Sequence, residues 1–366
     1  LSGIKGKKKF YKNAKQDVIS KPTEVIKSVK GEDIQLTIDA TIQFFAYKYL
    51  AEAIKKNKAK AGTVIILDNQ KGEILAMASY PSYNPNHPQR KIQKNRALVE
   101  AYEPGSVLKP IVLSKAIDMD LFLPDVAIDI PRRLNLNDKI IVDSKDHAKL
   151  TPKEIIAVSS QVGASKIALE IGYEELRKNY YNFGFTKPIS INFPSSTFGY
   201  MNIKESISDS ELASLGYGYG ITMSPFQIAS AYSVFANSGE YKDFQLLKNE
   251  QVTSRKIISN YAASNVLDAL RKVVKDGTGK AAEIRGFSEG GKTGTVHKIK
   301  NGTGYAEDSY RASFIGITPL SDKSLTIFVS IDEPGLNSYT GGSVAAPVFA
   351  KIAESSLNHL GYFEDE

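Results

Sequence analysis

Cysteine is absent from the 366 residues. That removes disulfides, a thiol nucleophile, iron–sulfur clusters and zinc-thiolate sites, and leaves the redox compartment open. Histidine is scarce. His87, His147, His297 and His359 are scattered and show no metal-ligand spacing such as HExxH, so they read as surface or core side chains. No metal and no other cofactor is expected. No apolar run reaches the roughly 18 residues that a membrane span needs. No signal peptide is visible, and the chain begins at Leu1, so it reads as a piece of a longer protein. Helix-turn-helix, zinc-finger and RNP patterns are also missing. Nucleic acid is therefore not an expected partner, despite a net charge of +7 and the clusters "KGKKKFYKNAK" and "KKNKAKAG". Those lysines read as solvated surface.

What is present can fill a core, since 42% of the residues are hydrophobic. Residues 1–30 are polar and lysine-rich, and read as a linker or the remnant of an upstream non-catalytic region. From residue 31 the patterning sharpens. "DATIQFFAYKYLAEAIKK" places Ile42, Phe45, Ala46, Tyr49 and Ala53 at helical spacing behind Asp39 as N-cap. "GTVIILDNQKGEILAMASYP" is two β-rich runs around a turn, the signal of a hairpin. The middle is mostly helical, with helix starts near Thr151 and at the Ser-Pro of "SPFQIASAYSVFANSG". Three late strands, "GGKTGTVHK", "RASFIGITP" and "SLTIFVSIDEP", precede a last helix, "APVFAKIAESSLNHLGYF". Strands at both ends with helices between predict an α+β domain over 31–366. Its mostly antiparallel sheet would be flanked by helices and joined to a helical subdomain.

Within that frame, "EPGSVLKP" puts Ser106 and Lys109 at i and i+3, on one side of a helix start. The free N–H groups of such a start can bind a developing oxyanion. Pro110 falls at the edge of the first turn, where a missing N–H costs least. Two further segments follow in order: "SSQ" at Ser159 to Gln161, and "KTGT" at Lys292 to Thr295 on a strand preceded by Gly290 and Gly291. The sequence S-x-x-K, S-D-N, K-T-G is the signature of class A β-lactamases and penicillin-binding proteins. The middle element departs from it, with Gln161 where Asn is expected.

The chain resembles the transpeptidase domain of class B penicillin-binding proteins, most closely the division type. The resemblance runs from about Gly31 to the end. It includes "DIQLTIDATIQ", "NRALVEAYEPGSVLKP", "SSQVGASKIAL", "GYGYGITMSPFQIASAYSVFAN", "GGKTGT" and "YTGGSVAAPVF". It implies the serine β-lactamase/transpeptidase-like fold and a serine acyl-enzyme. Ser106 would be the nucleophile and Lys109 its base. Ser159 would relay a proton, and Gln161 would stand in for the substrate-binding asparagine. Lys292, Thr293, Gly294 and Thr295 would line the opposite wall, with the backbone N–H groups of Ser106 and Thr295 as oxyanion hole. Tyr339 and Gly341 would belong to a pocket wall. The implied partners are donor and acceptor peptidoglycan stem peptides, covalent β-lactams, and, for the whole protein, a polymerising glycosyltransferase and other cell-division proteins. The implied location is the outer face of the inner membrane, held by a single N-terminal anchor outside this chain. A D,D-carboxypeptidase, a β-lactamase or a non-catalytic β-lactam sensor would carry the same motifs.

Overall fold

The structure is a computed structural model. It describes residues 2–87, 94–189, 191, 193, 196–248, 250–299, 304–321, 323–335 and 337–366. Helix α1 (Ala40–Lys56) starts where Asp39 accepts the Thr41 and Ile42 N–H groups. It leads into the hairpin of β1 (Ala61–Asp68) and β2 (Glu73–Tyr80). Strands β3 (Gly290–Ile299), β4 (Tyr305–Thr318) and β5 (Leu325–Asp332) form the late meander. Together they make one five-stranded antiparallel sheet in the order β3-β4-β5-β1-β2.

Both faces of the sheet are covered, which explains the unbroken apolar run "VIIL" in β1. Val64 and Ile66 pack in one core with α1 and α7 (Ala346–Leu360). Ile65 and Leu67 pack in a second core with the internal helices. Those are α2 (Lys109–Asp118), α3 (Pro152–Val158), α4 (Gln161–Ile171), α5 (Pro225–Ala236) and α6 (Asn260–Lys275). Thr151 and Ser224 each close a capping box at the starts of α3 and α5. The mixed α+β architecture therefore has the sheet and flanking helices expected from the sequence.

Three details differ from the expectation. The region after α2 is less helical than its composition suggests. It folds into small hairpins, Arg133–Leu136 with Lys139–Val142 and Ile128–Asp129 with Lys149–Leu150. Strand β4 starts at Tyr305, well before the apolar run, because backbone pairing with β3 extends through the exposed "YAEDSY". The N-terminal residues make a ribbon of Lys7–Lys9 with Thr23–Ile26, wholly exposed, with Ile4, Val25 and Val29 also in solvent.

Candidate active site

Ser106 lies in a 3-10 turn, Gly105–Leu108, that runs straight into α2. The α-helix proper thus begins at Lys109, one turn later than the sequence spacing implies. The turn is wedged between two backbones. Gly105 has φ +59°, and a Cβ there would come within 2.2 Å of Val296 on β3. Its N–H donates to the Gly218 carbonyl at 3.0 Å. Gly294 lets Val107 approach the strand, since a Cβ at 294 would meet Val107 Cγ1 at 3.0 Å. Ser106 itself is half-buried between buried neighbours.

The two candidate lysines meet at Ser159. Lys109 Nζ donates to the Ser159 carbonyl at 2.6 Å and to its Oγ at 3.2 Å. Lys292 Nζ donates to the same Oγ at 3.0 Å and to the Thr293 carbonyl at 3.2 Å. Lys109 is 1% exposed and Lys292 is 0% exposed, so both ammonium forms are strongly disfavoured. Burial lowers the Lys109 pKa to about 7, with the Asp143 charge pulling the other way. Burial, and then the charge of Lys109, holds Lys292 well below the ordinary lysine range.

Ser159 can serve both amines because of its backbone. It ends α3 in the left-handed region, φ 62° and ψ 37°, and α4 starts two residues later. That conformation is costly for a non-glycine residue and needs support. Asp143 supplies it from the Arg133–Val142 hairpin. Its carboxylate accepts from Ser160 Oγ at 2.5 Å, from Gln161 N–H at 2.6 Å and from Val162 N–H at 3.2 Å. Ser160 Oγ in turn accepts from Gly163 N–H at 2.8 Å, capping α4. Gln161, the departure from the motif, is the first residue of α4 and its side chain is exposed.

On the opposite side, β3 is an edge strand of the sheet. Thr293 and Thr278 share a hydroxyl–hydroxyl hydrogen bond of 2.8 Å. Thr295 Oγ1 accepts from Gly341 N–H at 3.0 Å, and only glycine fits at 341, where a Cβ would lie 2.2 Å from the Ser313 carbonyl. Tyr339 stacks on Tyr310 with ring centroids 4.4 Å apart, and Tyr310 meets His297 at 4.5 Å. The residues singled out in the sequence thus converge: the turn at 106, the lysines at 109 and 292, the turn at 159–161, and the loop at 339–341 over the strand 293–295. Sequence reasoning missed Asp143 and Thr278. Neither sits in a pattern that marks it, although the alternating "RLNLNDKIIVD" signals the hairpin that carries Asp143. Among the described residues no group of three or more His, Asp and Glu side chains could hold a metal ion.

The family model "Penicillin binding protein transpeptidase domain" matches residues 62–354. The chain is 35% identical to the probable peptidoglycan D,D-transpeptidase PbpC of Pseudomonas aeruginosa, over 98% of this chain and 65% of that protein. It is 36% identical to the probable peptidoglycan D,D-transpeptidase PenA of Neisseria gonorrhoeae, over 90% of this chain and 58% of that one. The chain thus spans about three fifths of the length of these relatives. The TP domain of Burkholderia pseudomallei penicillin-binding protein 3 superposes with a TM-score of 0.83 at 33% identity, covering 90% of this chain and 98% of that chain. The matched span holds all three motif segments that meet around Ser159, and the chain belongs to the transpeptidase-domain family of class B penicillin-binding proteins.

Proposed function

We propose that the protein carrying this chain is a peptidoglycan D,D-transpeptidase of septal cell-wall synthesis, and that Ser106 is acylated. The single observation that carries the reading is the pair of buried amines, those of Lys109 and Lys292, on Ser159 Oγ. A serine hydroxyl is a weak nucleophile at pH 7 and needs a base. Lys109, neutral in part at pH 7, takes the Ser106 proton as Oγ attacks the carbonyl of the penultimate D-alanine. The backbone N–H groups of Ser106 and Thr295 hold the oxyanion. Collapse breaks the C–N bond, and the proton passes from Lys109 through Ser159 to the departing amine of D-alanine. An acceptor amine then attacks the ester, loses its proton along the same route, and frees Ser106.

In this scheme Lys292, Thr293 and Thr295 bind the substrate carboxylate, and Gly294 lets the strand come close. The Gln161 amide, exposed at the head of α4, hydrogen-bonds the substrate backbone in place of asparagine. Tyr339 and Gly341 form the wall beside it. β-Lactams acylate the same serine. A glycosyltransferase and other division proteins are the partners of the whole protein, and its catalytic domain faces the cell wall from a membrane anchor.

Fluorescent penicillin tests the reading. The chain should be labelled covalently and lose the label slowly, and Ser106→Ala should abolish labelling at unchanged fold, since the Ser106 side chain caps neither the turn nor α2. Labelling of Ser106→Ala at the wild-type rate would put the nucleophile elsewhere. Rapid loss of label from the wild type would indicate a β-lactamase instead.

A further inference from the structure

Glu103 lies three residues before Ser106 and has no part in the acid–base chemistry above. Its side chain is buried, yet among the described residues it is paired with no lysine, arginine or histidine. Its two oxygens accept one hydrogen bond each. Oε1 accepts from Gly220 N–H at 2.8 Å, and Oε2 from the Tyr305 hydroxyl at 2.9 Å. A carboxylate can accept about four. A buried anion without a cation is costly. Negative charge this close to the Ser106 turn also opposes any oxyanion formed there. Chemistry alone therefore argues against an acid at this position.

Geometry argues for it. Gly220 belongs to a loop already stitched to the nucleophile turn. Gly105 N–H donates to the Gly218 carbonyl at 3.0 Å, and Tyr102 and Met223 exchange backbone hydrogen bonds of 3.1 and 2.9 Å. Gly218, at φ +89°, has no room for a side chain, because a Cβ would lie 2.1 Å from the Gly105 carbonyl. Tyr305 begins β4 and pairs with Ile299 at the far end of β3, the strand of Lys292 and Thr295. The Tyr219 ring meets Tyr305 edge-on with centroids 5.5 Å apart, so loop and hairpin also touch above the carboxylate. Glu103 accepts a hydrogen bond from each of them.

We infer that Glu103 is a positioning residue for acyl transfer. Its carboxylate clamps the Ser106 turn to the Gly218–Gly220 loop on one side and to the β3–β4 hairpin on the other. The two N–H groups assigned to the oxyanion, those of Ser106 and Thr295, sit on the two elements so joined. The clamp sets their spacing, and with it the width of the groove. Tyr305 suits this task because burial and the bond to Glu103 raise its pKa, so it stays a donor at every physiological pH. The inference rests on Ser106 being the acylated residue. Acylation of the wild type in the same assay keeps the two ideas apart.

Stopped-flow acylation of the 366-residue chain by one chromogenic penicillin, split into a binding constant and a limiting acylation rate, tests the clamp. Glu103→Ala should lower the limiting rate about 10- to 100-fold, the scale of a small misplacement of reacting groups, with little change in binding. Tyr305→Phe should lower it less, and the double variant should be no worse than Glu103→Ala. Glu103→Gln should recover most of the rate, since its amide oxygen accepts from Gly220 and its N–H groups reach the Tyr305 oxygen. Rates are taken per active molecule, from burst titration. A loss confined to the active fraction or to the melting temperature would reduce Glu103 to a structural residue and overturn the inference. So would additive effects of the two variants, or a Gln variant as slow as Ala. If Glu103→Ala does not fold, Tyr305→Phe, which removes only one hydroxyl from a half-exposed ring, decides alone: an unchanged limiting rate rejects the clamp.

Discussion

Lys109 is the first residue of α2, and the helix buries Pro110, Ile111, Val112 and Leu113 directly behind it. An ammonium in such a place is poorly solvated, which is why its pKa lies at about 7. Only the neutral amine can take the Ser106 proton. The acylation rate should therefore rise with pH through about 7 and level off above it, a profile that penicillin acylation between pH 5.5 and 9 would record. Lys109→Arg should be as inactive as Lys109→Ala, because a guanidinium is effectively never neutral. Substantial acylation by the Arg variant would remove the lysine from the role of base. The i, i+3 spacing of Ser106 and Lys109 and the Lys-Thr-Gly strand were legible because chemistry and backbone coincide there in short segments. Glu103 and Asp143 were not. Each is a single carboxylate whose meaning comes from elements that reach it from far along the chain.

At the scale of elements, the turn between α3 and α4 does more than connect them. The start of α4 leaves N–H groups without helical partners, and Asp143 collects two of them while it also holds Ser160. The same carboxylate acts on Lys109 through space and favours its charged form. The titratable groups facing that amine are Asp143 from the small hairpin and Lys292 from β3, the latter held largely neutral by burial, with Ser159 between the two lysines. Asp143→Asn keeps the shape and removes the charge. The Lys109 pKa should then fall, and the rising limb of the acylation profile should move to lower pH, while the plateau drops as the turn loosens. A lowered plateau on an unmoved limb would show that Asp143 acts through geometry alone. The sequence announced the helix start at Thr151 and the glycine after the turn, but the left-handed Ser159 has no signature of its own.

At the scale of the molecule, the sheet and the site share one buried charge network. Arg311 on β4 donates to Asp332 on β5 at 3.1 Å and to Glu100, just ahead of the Ser106 turn, at 3.1 Å. Its guanidinium also lies 3.9 Å from the centre of the Tyr102 ring. Lys298 keeps one further cation on Asp332, and Lys94 and Arg96 keep two on Glu100. Arg311→Leu should therefore cost about 3 kcal/mol, the low end for breaking a buried pair, measured as a shift in the urea midpoint. A change under about 0.5 kcal/mol would mean the remaining cations suffice. The sheet's existence and its late meander were readable from strand patterning. The strand order was not, since nothing local says that the last strand pairs with the first.

That pairing runs from Leu325 opposite Asp68 to Asp332 opposite Ala61. It joins the two ends of the domain, so the sheet cannot be completed from the first half of the chain. Contacts so distant in sequence close slowly, because the loop between them must be ordered before they are made. During synthesis the early hairpin must wait, with its apolar strand β1 unpaired on one edge, until the segment near residue 332 has emerged. An unpaired apolar edge invites association with other chains. The domain is therefore exposed to aggregation for nearly the whole time it takes to be made, and its capacity to react with penicillin should switch on late and all at once.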